Sequence, residues 1–146
     1  MAEQDNAQHA RQAIAAINSR NLDAYVQMLD DSYVMETELA PAPLQGREAV
    51  RQLLQSYFNG IPDLRLEIEQ IITSGDFVVM RTHLTGTHKG TFAGVPATNN
   101  KIDVRSCNVI ELRNGKALRS TLYSQTAKLF QQLGVLTLPK AMAAKP

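Results

Sequence analysis

The apolar residues change their period once along the chain, and that change limits what the chain can fold into. Up to about residue 60 they recur at three- and four-residue intervals; from Leu64 onward they alternate with polar residues. Ala7, Ala10, Ile14 and Ile17 fall on one face of a helix running from about Asp5 to Asn18. Asn21 is placed to cap a second, short helix with Leu22, Tyr25, Met28 and Leu29 inward, and Asp30-Asp31-Ser32 ends it. Tyr33 to Leu39 reads as extended. After the Pro41-Ala42-Pro43 corner, Gly46 opens a third helix carrying Ala49, Val50, Leu53, Leu54 and Tyr57, closed by Asn59-Gly60-Ile61-Pro62.

Strands follow. Leu64, Leu66, Ile68, Gln70 and Ile72 alternate with Arg65, Glu67 and Glu69, so one face is solvated. Ser74-Gly75-Asp76 turns the chain into a strand from Phe77 to Thr87. A Gly-, Thr- and Pro-rich loop to Thr98 precedes strands at Lys101–Leu112 and Ala117–Thr126, joined by Asn114-Gly115, a strong hairpin signal. Lys128 to Leu133 reads as a last helical turn with Gly134 at C′. Three helices before an antiparallel meander make an α+β chain with the helices on one sheet face. Curvature of that sheet would leave a cone-shaped, apolar pocket suited to a small molecule. The expected organisation is one domain over residues 1–136 and a flexible tail over 137–146.

Composition removes several function classes. Fifteen Lys and Arg against fourteen Asp and Glu leave a formal charge of +1, no footprint for nucleic acid or for an anionic membrane. The one cysteine, Cys107, cannot form an intramolecular disulfide, and no Cys/His spacing suits zinc, so no metal is expected. The N-terminal stretch is polar, without a signal-peptide core, and no apolar run approaches the ~18 residues of a membrane helix. The reading is a soluble, cytoplasmic protein. No phosphate-binding loop, dinucleotide fingerprint or nucleophile elbow is present, which leaves cofactor-free proton transfer as the expected chemistry.

A two-residue turn at Asn114-Gly115 would pair Arg113 with Lys116, Asn108 with Thr121, Ser106 with Tyr123 and Val104 with Gln125. Asn108, Tyr123 and Gln125 would then share one face as a polar cluster; another loop type would offset the pairing. Glu36 shares a face with Val34 and Glu38, and is either a solvated edge carboxylate or a partly desolvated base. His88 either bonds loop backbone or forms an acid/base pair with Glu36. His83 is an outer-face residue or a pocket base, and His9, on the first turn of its helix, is expected in solvent. Arg81 and Arg105 are surface cations or, in a pocket, partners for an anionic substrate or an enolate oxygen. Cys107 reads as a small buried hydrophobe.

The run GTHKGTFAGVPAT (Gly86 to Thr98), the hairpin ELRNGKALRS and the terminal LFQQLG (Leu129 to Gly134) resemble the SnoaL-like polyketide cyclases of the nuclear transport factor 2-like superfamily. The likeness extends from about Ala7 to Leu136. Ala97 and Asn99 replace a proline and a glycine of the family loop, and Gln125 stands where aromatic cyclases carry an acid/base aspartate. A glutamine amide cannot return a proton near neutrality. Asp31 to Glu36 also resembles the segment of ketosteroid isomerase that ends in its proton-shuttling carboxylate, which implies Glu36 as the base. That enzyme's helix-1 tyrosine is replaced by Ala13, and its oxyanion-hole aspartate falls near Asn108, an amide that can still donate to an enolate. The resemblance implies a cofactor-independent cyclase, isomerase or dehydratase acting on a hydrophobic, carbonyl-containing intermediate. In that reading Glu36 and His88 are catalytic, and Asn108, Tyr123, Gln125 and Arg81 bind substrate. It also implies a homodimer. The alternatives are a non-catalytic binder of a hydrophobic metabolite and a dimerisation or interaction module.

Overall fold

The computed structural model describes residues 3–137 and 139. Most of the stretch expected to be a flexible tail therefore lies outside the described residues. Helices α1 (Glu3–Asn18) and α2 (Leu22–Gln27) lead into strand β1 (Leu29–Thr37). Short β2 (Leu44–Gln45) and helix α3 (Arg47–Gly60) follow. Strands β3 (Arg65–Ser74), β4 (Phe77–Thr87), β5 (Lys101–Arg113) and β6 (Lys116–Ser124) and helix α4 (Thr126–Gln132) complete the chain. Asn21 caps α2 as its residue type predicts, its Oδ1 accepting from the Ala24 amide at 3.1 Å.

The strands form one curved, unclosed sheet in the order β2-β1-β6-β5-β4-β3. It is antiparallel except that β1 runs parallel to β6. No hairpin joins those two, because α3 and the meander separate them, so turn geometry does not set their relative direction. β1 also starts earlier than expected, at Leu29: the Asp30-Asp31-Ser32 stretch continues as strand rather than serving as a break.

The core fills the space between the helices and one sheet face. Ile14 and Ile17 of α1, Val50 of α3, and Met80 of β4 are buried together there. A second cluster joins Ile61, Leu64, Phe92 and Ile102 to Leu129 of α4 and to Leu133 just beyond it. The end of α1 is tied to the edge strand by hydrogen bonds as well. The Asn18 amide exchanges two with the backbone of Leu66, at 2.8 and 2.9 Å. The Arg20 guanidinium, 4.3 Å above the Phe58 ring, donates to the Pro62 and Leu64 carbonyls. A sheet edge bonded in this way is a poor template for another strand.

Two bulges decide which side chains face that core. The Asn114-Gly115 turn is the expected two-residue one, with both residues at positive φ (52° and 76°) and Arg113 opposite Lys116. Beyond Leu112 opposite Ala117, however, Leu118 is inserted into β6, and Glu111 pairs with Arg119. The register therefore becomes Asn108 with Leu122, Cys107 with Tyr123 and Ser106 with Ser124, offset by one residue from the expected pairing. A similar bulge at Glu69 shifts β3, so that Ile71 packs toward the core and Ile72 is 48% exposed, the reverse of simple alternation.

Candidate functional site

A cavity of about 100 Å³ lies between the sheet and helices α1, α2 and α3. A smaller one of about 50 Å³ adjoins it, the two sharing Ile14, Ile17, Tyr25, Met80 and Asn108. Inward positions of the elements build the larger chamber: Ile14 and Ile17 come from α1, Leu53 and Leu54 from α3, and Leu84 and Leu122 from the sheet. Its polar groups are few: the hydroxyls of Tyr25, Tyr57, Thr82 and Ser106, and the amide of Asn108.

Those hydroxyls keep their protons. Burial pushes the Tyr57 phenol up to about 12. Burial and the neighbouring Tyr33 push Tyr25 well above its ordinary 10. Tyr33, also raised to about 12 by burial, bonds Ser120 on β6. Ser106 Oγ lies 2.9 Å from Ser124 Oγ. Asn108 is different: its Oδ1 is buried and has no hydrogen-bond partner. A buried acceptor left without a donor costs about 1–3 kcal/mol, so the fold carries this group at a loss unless something else bonds it.

Of the six residues expected to form the site, the structure places Asn108 alone in the chamber. Glu36 is exposed; its strand neighbours Tyr33 and Met35 take the inward positions, and Glu36 sits beside Thr121 on the opposite face. The expectation of a carboxylate looking into the hollow from β1 is corrected on that ground. Tyr123 is 61% exposed, turned outward by the Leu118 bulge, which brings Ser120 and Leu122 inward instead. Gln125 is exposed at the start of α4, its Oε1 accepting from the Arg105 amide at 2.9 Å. Arg81 lies on the open face and donates to Gln70 Oε1 at 3.0 Å. Arg105 is exposed there too, with Glu69.

His88 is wholly buried in the loop, whereas Glu36 is exposed. Its Nε2 is 3.2 Å from the Val95 carbonyl and its Nδ1 is 2.9 Å from Thr98 Oγ1. A carbonyl can only accept, so Nε2 carries the proton and Nδ1 accepts from Thr98. With both nitrogens engaged inside the loop, His88 makes the loop-holding bonds of the first of its two expected roles.

Sequence reasoning missed His9. Far from standing in solvent, it is half-buried, lines the smaller cavity with Asn108, and has Nε2 3.2 Å from the Met28 carbonyl. Burial holds its pKa below the ordinary 6.5 against the opposing effect of the Met28 bond, and Lys116 lowers it further. The available signal was helical spacing: His9 is four residues before Ala13, which lines the same cavity. His83 pairs with Asp103, on the strand face opposite Thr82 and Leu84. That pairing holds the Asp103 carboxyl below its usual range. Cys107 is only half-buried, between Arg81 and Tyr123 in register. Among the described residues, no group of three or more His, Cys, Asp or Glu side chains is gathered to hold a metal. No helix among them is long and apolar enough to cross a membrane.

The family model for SnoaL-like polyketide cyclase matches residues 7–133. The chain belongs to that family. Solved structures share its fold. A SnoaL-like protein from Jannaschia sp. CCS1 is 19% identical with a TM-score of 0.84, covering 92% of this chain and 95% of its own. AclR from Streptomyces galilaeus is 23% identical with a TM-score of 0.85, covering 96% and 92%. A protein from Catenulispora acidiphila with a ketosteroid isomerase-like fold is 17% identical with a TM-score of 0.74, covering 93% and 97%. At these identities the likeness is one of fold. No curated protein matches the sequence. In this SnoaL-like chain, Asn99 of the family loop has φ of 62°, a conformation asparagine tolerates better than most residues, so its replacement of glycine leaves the loop path open.

Proposed function

We propose that this SnoaL-like protein takes an apolar, carbonyl-bearing small molecule into the larger chamber and promotes proton transfer next to the carbonyl, a step common to cyclisation and isomerisation. The observation that carries this reading is the Asn108 amide, a hydrogen-bonding group set in a wall that is otherwise mostly hydrocarbon. An amide Nδ2–H that meets a carbonyl oxygen stabilises the enolate more than the ketone, and exclusion of water strengthens that preference. Tyr57 and Tyr25 stay protonated and can only donate or accept hydrogen bonds around the ligand. Glu36 has no part in this reading. Its exposure, and the lack of any carboxylate among the described residues lining the larger chamber, support a second reading in which the protein carries such a molecule without turning it over.

Acetophenone, a compact apolar ketone with exchangeable α-protons, separates the two readings. Saturation-transfer NMR should show it bound, with affinity reduced about tenfold in Asn108→Leu, the worth of one hydrogen bond to a buried group. Protein-dependent exchange of its α-protons for deuterium in D₂O supports proton transfer. Binding without exchange leaves the carrier reading, and absence of binding overturns both.

A further inference from the structure

We propose that His9 is the proton acceptor for this chamber, reached from the ligand through one water held in the smaller cavity beside Asn108. The inference rests on the chamber being a site of proton transfer and adds the group that receives the proton.

The geometry is specific. Among the three histidines, His88 has both ring nitrogens bonded inside its loop, and His83 pairs with Asp103 away from the chamber. Among the described residues, the His9 ring makes one hydrogen bond, from Nε2 to the Met28 carbonyl. Because that carbonyl accepts, Nε2 carries the hydrogen and the neutral ring has its lone pair on Nδ1. The smaller cavity, at about 50 Å³, exceeds the ~10–15 Å³ that one water needs. It also offers polar partners, since Tyr25, Tyr33, Asn108 and His9 all line it. Asn108 belongs to both cavities, so one amide can turn Nδ2 to the ligand carbonyl and Oδ1 to the water, giving its orphaned acceptor a donor.

The groups around the imidazole favour its neutral, accepting form. Lys116 on β6 disfavours a second positive charge, and burial acts in the same direction. The phenols of Tyr25 on α2 and Tyr33 on β1 stay uncharged. Met80 of β4 and Ile110 of β5 complete the wall without charge.

The step balances without any further reactant. The ligand's α C–H bond breaks and its proton passes to the water, which gives one of its own to His9 Nδ1. The electron pair left on carbon delocalises to the carbonyl oxygen, held by Asn108 Nδ2–H. Imidazolium then returns a proton through the same water, to the original carbon or to a conjugated one.

The test is acetophenone exchange in D₂O with the full chain and with His9→Gln, followed from about pH 4.5 to 8. Binding should stay within about threefold while exchange falls at least ~100-fold, the lower range for loss of a general base. In the unaltered chain, exchange should rise with pH through the His9 titration, below 6.5, and then level off; His9→Gln should lack that inflection. Nitrogen-15 NMR on the unaltered chain provides a readout that does not depend on how the variant folds. At neutral pH His9 should be the Nε2–H tautomer, with an Nδ1 resonance that moves when acetophenone binds. Exchange with an unchanged pH profile in His9→Gln, or an Nδ1 resonance indifferent to bound acetophenone, overturns the assignment and leaves the chamber reading standing. Binding without exchange in the unaltered chain overturns it too. Absence of binding removes the chamber reading and the assignment together.

Discussion

The loop from His88 to Asn100 and the chamber beneath α1 both bury polar side chains, with opposite results. In the loop the buried His88 ring has a partner at each nitrogen. The His88 amide donates to the Asn100 carbonyl and the Asn99 amide returns to the His88 carbonyl, each at 2.9 Å. The Lys89 and Gly90 amides share the Gly60 carbonyl at 3.0 and 3.1 Å, and Thr98 Oγ1 serves both His88 Nδ1 and the Asn100 amide. In the chamber Asn108 Oδ1 has none. A closed polar network holds a fixed shape, whereas an open one keeps a position for something from outside. Burial alone therefore does not separate a structural histidine from a working one; the number of unengaged ring atoms does.

Substitutions should divide along the same line. The largest effect should come from Gly90→Ala, whose Cβ would stand 2.0 Å from the Asn59 carbonyl oxygen. Backbone cannot retreat as a side-chain tip can, so urea unfolding should show a loss of about 4 kcal/mol. A near-native stability would mean the loop is not fastened to the end of α3 as described. His88→Ala comes next, leaving Thr98 Oγ1 and the Val95 carbonyl short of a partner around a void; about 3 kcal/mol should be lost. Asn108→Leu should behave in the opposite way, gaining about 1 kcal/mol as an unpaired buried acceptor disappears, while acetophenone affinity falls. If it destabilises like His88→Ala, the chamber is no different in kind from the loop.

The pH response should be smaller. His9 is lowered in the folded state, so between its folded value and 6.5 the unfolded chain binds more protons. Its contribution to stability is present above 6.5 and is lost as pH falls through the folded value. The difference in melting temperature between the unaltered chain and His9→Gln should change with pH across that window and be constant above it. Least of all should follow from Glu36→Gln, an exposed carboxylate outside both cavities: stability within about 0.5 kcal/mol and exchange activity unchanged. A large loss of exchange would reinstate a carboxylate on β1 as the base.

Much of the fold was open to reading from the chain alone. The helical stripe Ala10-Ile14-Ile17, the Asn21 cap and the Asn114-Gly115 turn are local, each produced by residues within a few positions of one another, and all three stand in the structure. Family membership was legible for a related reason, since the loop and hairpin motifs are contiguous. The inward placement of Asn108 was also legible, because its own strand carries no bulge in its pairing with β4. Glu36, Tyr123 and Gln125 were misplaced, and His9 was overlooked.

The errors on the strands share a cause. A strand has two faces, and local alternation says which residues go together but not which set goes in. Leu118 and Glu69, each one inserted residue, exchange the faces beyond them, and the only trace is a doubled apolar or polar pair, Ala117-Leu118 and Glu69-Gln70. Whether such a pair marks a bulge depends on what lies opposite. Ser120 faces inward to meet Tyr33, from a strand more than eighty residues away, in a pairing that no hairpin dictates. Period, caps and turns were thus determined by the sequence, because neighbours along the chain produce them. The choice of which polar groups line the hollow was left to tertiary structure, because only packing across the sheet can make it.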